Sequence, residues 1–238
     1  ISMKIAIIAS TSFEIDPLLQ HLDAEGHKAS FFHYEYKGHE IYPLVTGIGA
    51  IKTAFALARF NEITTLDLAI NMGVAGSYNR DLPLGTVVHV TSDRFADLGV
   101  EEADGSFTDV YDLELEAKNK YPYTDGALIN DGLKYSFDIK KVKALTVNKV
   151  HGTQTSIDLI QSKYKADIET MEGAGFHYAC MNMDIQHVQL RALSNYVEPR
   201  NRAGWQVELA IDKLNQTIIE LLNNIEKPAE RNKALDWL

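Results

Sequence analysis

Cysteine is almost absent. Cys180 is the only one in 238 residues, so an internal disulfide and a thiolate zinc site are both excluded. Positive charge is also short. Lys and Arg number 23 against 33 Asp and Glu, a net charge of −10, which argues against nucleic acid or an anionic membrane as a partner. No apolar run approaches the roughly 20 residues of a membrane span. No signal peptide is expected before the first strand, and cytoplasm is the expected compartment. Ile1 and Ser2 ahead of Met3 read as a cloning remnant. Several catalytic signatures are missing: His-Glu-x-x-His, a Gly-x-Ser-x-Gly elbow, and a phosphate loop ending in Lys-Ser or Lys-Thr. Asp93, Asp97, Asp104 and Asp109 do not fit a calcium-loop spacing and read as a solvated edge. No metal and no cofactor are implied.

What is present reads as one α/β domain over residues 1–238, with a polar tail from Lys227 in which Trp237 is the candidate docking residue. Lys4 to Ala9 (KIAIIA) is a near-continuous apolar run, as in a central strand covered on both faces. A polar turn, Ser10-Thr11-Ser12, leads into an amphipathic helix carrying Glu14, Ile15, Leu18, Leu19 and Leu22. Ala29 to Tyr36 and Glu40 to Val45 read as a strand pair turning at Lys37-Gly38. Thr46-Gly47-Ile48-Gly49 then precedes a helix over 50–60 and is either a tight turn or a ligand contact. Leu66 to Asn71 reads as a buried strand, and Met72 to Ser77 as a glycine-flanked loop at its end. Thr86 to Val90 is a strand, residues 95–126 are acidic loops with a short helix near Leu113 to Asn119, and Lys143 to Val147 resumes the sheet. A helix over 155–164 follows, and another over 204–225 closes the fold.

Between them, Ala166 to Asn195 reads as strand, buried helix, strand, with Cys180 a small core residue. Glu172 falls in the first turn of that helix and Asn195 just past the second strand. Ligands of open α/β sheets gather at strand carboxyl ends and helix N-termini, so both residues point to one place. Glu14, at the end of the first strand, occupies the same kind of position. Either glutamate could instead cap its own helix. The two glycines after Glu172 imply close approach by a ligand or another backbone. Carboxylates and an amide at strand ends suit glycosyl transfer. One carboxylate can activate water, another can hold a ribose diol, and a polar group can stabilise the departing base.

Four stretches, KIAIIASTSFE, TGIGAIKTA, INMGVAGS and the pair ETMEGAGF with RALSNYVEPRN, resemble the nucleoside phosphorylase and nucleosidase family. The likeness is to its methylthioadenosine/S-adenosylhomocysteine nucleosidase branch, and within it to the futalosine hydrolases of menaquinone biosynthesis. The resemblance implies a three-layer α/β/α sandwich with a mixed, partly barrel-like central sheet, and a homodimer acting on a small-molecule nucleoside. It implies that Glu14 works with the nucleophilic water and that Met171 and Glu172 hold the ribose. Ile48 would form an apolar wall, and Val74, Ala75 and Gly76 would line the ribose side. Val150 and His151 would flank the purine, with Trp205 over the 5′ substituent. Adenine-specific members carry Asp where this chain has Asn195. An amide suits a 6-oxopurine, which favours hypoxanthine as the base and leaves methylthioadenosine/S-adenosylhomocysteine nucleosidase as the alternative, with a nucleoside-binding protein on the same fold as the non-enzyme one. Phosphorylases of the family surround the nucleophile with arginines. Ser10 to Glu14 contains none, so water is the expected nucleophile. Arg200 and Arg202 either meet a carboxylate on the 5′ group or form a solvated loop with Glu198.

Overall fold

The computed structural model describes residues 2–130, 133, 135 and 138–226. In chain order the elements are β1 (Lys4–Ala9), α1 (Ser12–Glu25), β2 (His27–Lys28), β3 (Tyr34–Tyr36), β4 (His39–Val45), α2 (Ala50–Ile63) and β5 (Leu68–Ser77). There follow β6 (Val87–Asp93), β7 (Gly99–Glu101), β8 (Phe107–Asp109), β9 (Tyr123–Thr124), β10 (Ala127–Ile129), β11 (Lys141–Thr146), α3 (Gln154–Tyr164) and β12 (Ile168–Thr170). Last come α4 (Gly173–Asn182), β13 (His187–Tyr196), a 3₁₀ turn (Arg202–Gly204) and α5 (Val207–Asn224).

β1 lies between β4 and β5, parallel to both. Its apolar run is explained by the layers on either side. Ile5 and Ile7 pack with Ile15, Leu18 and Leu22 of α1 and Leu214 and Ile218 of α5. Ala6 and Ile8 pack on the other face with Leu57 of α2 and Phe176, Ala179 and Cys180 of α4. α2 and α4 approach so closely that a β-carbon at Gly175 would lie 2.4 Å from the Ala50 carbonyl oxygen, the close backbone approach that its glycine implied.

Beyond β1 the sheet curls into a barrel. β5 pairs with β12, β12 with β11, β11 with β6, β6 with β13, and β13 returns to β5. This closure corrects several expectations. Met72 to Ser77 is strand, not loop, because β13 runs parallel to it along the whole length of β5. Asn195 lies within β13 rather than past its end. Glu172 is the residue before α4, not part of its first turn. Ala29 to His33 is not strand; β3 pairs with β4 on one side and with the short β2 on the other, and the loop between β2 and β3 leaves Phe31 and Phe32 exposed. No helix forms at Leu113 to Asn119. There the Asp109 carboxylate accepts from the backbone N–H groups of Tyr111 and Asp112, and such local side-chain bonds compete with helix. The tail from Lys227, with Trp237, lies outside the described residues.

Candidate active site

Glu14 is buried where β1 hands over to α1. Thr11 caps the helix and forms a capping box with Glu14. Glu14 Oε2 accepts from Ser10 Oγ at 2.6 Å and from Thr11 N and Oγ1 at 3.0 Å each. Oε1 faces the barrel and accepts from Val74 N at 3.2 Å. Both roles weighed for Glu14 are thus open to one side chain. One oxygen caps the helix, and the other is held against β5. The turn is anchored from α5, where Asn215 Nδ2 donates to Glu14 O at 2.9 Å and Oδ1 accepts from Leu18 N at 3.0 Å.

Glu172 makes no side-chain bond to its own helix, so capping does not account for it. Its Oε1 accepts from Gly49 N at 3.0 Å. Gly49 has φ 108° and Gly47 φ 85°, a conformation that glycine adopts without steric cost. The Gly-x-Gly is a tight turn, and it aims an amide at Glu172.

Between the glutamates sits Arg191, which had no role in the sequence-based expectations. It is 1% exposed. Its Nη1 is 3.8 Å from Glu172 Oε2, its Nη2 donates to Asn71 Oδ1, and its Nε donates to Gln189 Oε1 at 3.1 Å. Gln189 Nε2 in turn donates to Asp93 Oδ2 at 3.0 Å. Burial pushes the Asp93 carboxyl up to about 6, against the lowering effect of the bonds from Gln189 and Thr146 and of the Arg191 charge. Two nitrogens of the buried guanidinium are hydrogen-bonded and the third lies in ion-pair range of Glu172, the pairing that burial of a charge demands.

The β5–β13 register sets the site's length. Arg191 pairs with Gly73, and Asn195 pairs with Gly76, because an irregularity between Leu193 and Asn195 gives β13 one extra residue. Bulges of this kind re-aim a side chain. A β-carbon at Gly73 would lie 2.1 Å from Arg191 Nη1 and 3.0 Å from Glu14 Oε1. One at Gly76 would lie 3.2 Å from Asn195 Nδ2. The carboxylate end and the amide end are therefore three residues apart along β5, about 10 Å at the rise of a strand. That span suits a ribose with a purine attached.

At the amide end, Ser194 Oγ donates to Asn195 Oδ1 at 2.9 Å, and Asn195 Nδ2 donates to Tyr196 O at 3.1 Å. A cleft there brings together Gly76, Val150, His151, Asn195, Arg200 and Trp205. Glu169, a second residue without a role from the sequence, forms its floor. Glu169 is 3% exposed. It bonds His151 through both the ring Nδ1 and the backbone N–H, and it accepts from Tyr78 OH at 2.7 Å. Burial first, then the Glu169 charge, holds the Tyr78 hydroxyl protonated far above its ordinary range.

The remaining expected residues divide. Met171 is half-buried beside Glu172, and Ile48 is 52% exposed between the two glycines. Val74 offers Glu14 its backbone N–H while its side chain packs on the core. Ala75 is buried among Val88, Val90 and Leu193, so its side chain lines the barrel core and not the cleft. Arg200 stacks over Trp205 at 5.3 Å. Arg202 is exposed and is not among the residues of the cleft. Glu198 pairs with Arg80, not with either of them. Among the described residues no group of three or more His, Cys, Asp or Glu could hold a metal ion, and no helix is long and apolar enough to cross a membrane.

Residues 4–225 match the family model of the phosphorylase superfamily. The chain is 31% identical to the futalosine hydrolase of Thermus thermophilus over 188 residues, covering 78% of this chain and 83% of that one. It is 28% identical to the futalosine hydrolase of Streptomyces coelicolor, over 96% of this chain and all of the relative. In fold it is similar to the 5′-methylthioadenosine/S-adenosylhomocysteine nucleosidase of Neisseria meningitidis in complex with methylthio-immucillin-A, with a TM-score of 0.76 at 19% identity over 94% of this chain and all of that one. The chain belongs to the phosphorylase superfamily, as an enzyme of the purine nucleosidase type.

Proposed function

We propose that this nucleosidase hydrolyses the N-glycosidic bond of futalosine, releasing hypoxanthine and dehypoxanthinyl futalosine. The observation that carries the reading is Asn195 at the base end of the site. Its Oδ1 already accepts from Ser194 and its Nδ2 already donates to Tyr196 O. One donor and one acceptor of the amide are left. They match a 6-oxo group and an adjacent ring N–H, the edge that hypoxanthine presents. With the amide held in this orientation by Ser194 and Tyr196, an adenine amino group in the place of the 6-oxo group would meet the Nδ2 donor, a mismatch worth about 1–3 kcal/mol.

At the other end, Glu14 orients water and takes its proton while Glu172 accepts from the ribose hydroxyls. Arg191 pairs with Glu172 and leaves Glu14 without a cation partner of its own among the described residues, so the nucleophile end carries negative charge, which repels phosphate and admits water. The relatives from Thermus thermophilus and Streptomyces coelicolor support the same substrate. Arg200 stacks over Trp205 in the cleft at the base end, so the 5′-group contact that the resemblance implied for it is not part of this reading. A homodimer does belong to it. Ile51 and Phe55 lie one turn apart on α2, just after Ile48 in the preceding turn, and the three are 82%, 62% and 52% exposed, an apolar stretch suited to a second copy.

The test is base release from futalosine and from 5′-methylthioadenosine, followed chromatographically. Hypoxanthine from futalosine is the expected product. Adenine release without hypoxanthine release would transfer the chain to the methylthioadenosine/S-adenosylhomocysteine nucleosidases.

A further inference from the structure

We propose that His151, held by Glu169, is the proton donor to the departing base. The inference rests on the nucleosidase activity and names the group that activity still lacks. When C1′–N9 breaks, the bonding electron pair goes to the purine, which leaves far more readily once protonated at N7. Asn195 cannot supply that proton, because an amide does not release one at neutral pH. Glu14 is committed to the other end of the site, about 10 Å away along β5. Glu172 is held there too, by Gly49 and Arg191.

Glu169 and His151 line the same cleft as Asn195 and Gly76. Glu169 accepts from Tyr78 OH, from His151 N and from His151 Nδ1. An ionised carboxylate only accepts, so Nδ1 keeps its hydrogen and the ring orientation is fixed. Nε2 has no protein partner among the described residues, and the side chain is 14% exposed. In the imidazolium, the proton on Nε2 is the one free to leave. A buried carboxylate that serves one imidazole in a ligand cleft is the arrangement by which a fixed histidine exchanges protons with a substrate. The step balances. Water oxygen bonds to C1′, C1′–N9 breaks toward the base, the Nε2 proton passes to N7, and Glu14 takes a proton from the water. Solvent then reprotonates His151 and relieves Glu14, for a net consumption of one water.

The experiment compares each nucleoside with its N7-methylated form, whose base is already cationic and leaves without an added proton. Wild-type protein is first assayed on futalosine and on 5′-methylthioadenosine, and the comparison is made on whichever it cleaves. Failure on futalosine alone removes the substrate reading and leaves His151 testable on the adenine nucleoside. Failure on both overturns the nucleosidase activity and this inference together. H151A is expected to lower kcat roughly 10²–10⁴-fold on the parent nucleoside and less than about tenfold on the methylated one. E169Q, checked for native circular dichroism, is expected to show the same selectivity with a smaller loss. Equal losses on both nucleosides, or no loss on either, would overturn the assignment.

Discussion

Arg191 Nη1 stands 3.8 Å from Glu172 Oε2 inside a barrel that leaves the arginine only 1% exposed. Its other nitrogens are taken by Asn71 and Gln189, so the guanidinium is held in place to offset the Glu172 charge. Replacing it with methionine keeps the length and removes the charge. Glu172 and Asp93 are then left buried without their cation, a change that costs about 3–5 kcal/mol when one partner of a buried pair is lost. R191M is expected to unfold at lower urea concentration by that amount, and R191K to recover only part, since an ammonium cannot serve three separated acceptors. A wild-type urea midpoint for R191M would show that the charge is not structural.

Gly73 and Gly76 make a matched pair of tests along one strand. A methyl group at Gly73 must displace the Arg191 guanidinium at 2.1 Å, whereas at Gly76 it meets the movable Val197 Cγ2 at 2.8 Å first. Misplacement of a catalytic group by about 1 Å costs roughly 10²-fold in rate. G73A is expected to lose that much kcat with KM little changed. G76A, beside the base, is expected to raise KM more than it lowers kcat. Steady-state kinetics of the two variants decides it, and the reverse pattern would misplace the water and base ends.

The outline of this site was legible in the chain, but its middle was not. Glu14, Glu172 and Asn195 stood out because a polar residue at a strand end or helix start is costly unless used. Arg191 did not, because Val188, Leu190 and Ala192 alternate with Gln189 and Arg191 and alternation reads as one solvated face. In a closed barrel that face is the interior, and both sets are buried. Met72 to Ser77 read as a loop for a related reason. Its glycines are turn signals by composition, yet Gly73 and Gly76 are there to let Arg191 and Asn195 come close. The extra residue between Leu193 and Asn195, which brings the amide opposite Gly76, has no sequence mark. Glu169 was hidden by its three-residue strand, too short to show a period.

Glu14 divides its oxygens between the helix cap and the barrel, and glutamine separates the two roles. E14Q keeps an acceptor for the cap but cannot take a proton from water. Turnover is expected to fall roughly 10²–10⁴-fold, with affinity for substrate, measured by calorimetric titration, within a few-fold of wild type. A near-normal rate would remove Glu14 from the mechanism.

Asn215 supports Glu14 from behind and offers a test of the fold's contribution. Its amide satisfies both Glu14 O and Leu18 N from the neighbouring helix. N215L is close in volume and removes both bonds, leaving Glu14 O and Leu18 N, four residues apart in α1, only each other as partners. Each lost bond is worth about 0.5–1.5 kcal/mol, so the urea midpoint should fall accordingly, and kcat should fall with it as the first turn of α1 shifts. Lower stability with unchanged kcat would confine Asn215 to packing.

Acid should unfold this protein through three buried imidazoles, His89, His177 and His187. His177 Nδ1 lies 3.0 Å from His187 Nε2, and His177 Nε2 is buried without a partner among the described residues. Burial is the main cause holding His89 and His187 down at about 4 and His177 well below its ordinary 6.5. The unfolded chain protonates all three near 6.5, so between about 6.5 and 4 it binds more protons than the native state, and stability falls as pH falls. Asp93 opposes this. Its native carboxyl holds a proton up to about 6 against 3.8 ordinarily, so the stability it contributes is present at low pH and lost as pH rises through that window. Three imidazoles against one carboxyl leave a net of up to two protons near pH 5, about 2–3 kcal/mol per pH unit. Urea midpoints measured from pH 7.5 down to pH 5 should therefore drop steeply below pH 6.5. A flat profile would mean that the imidazoles are already protonated in the native barrel.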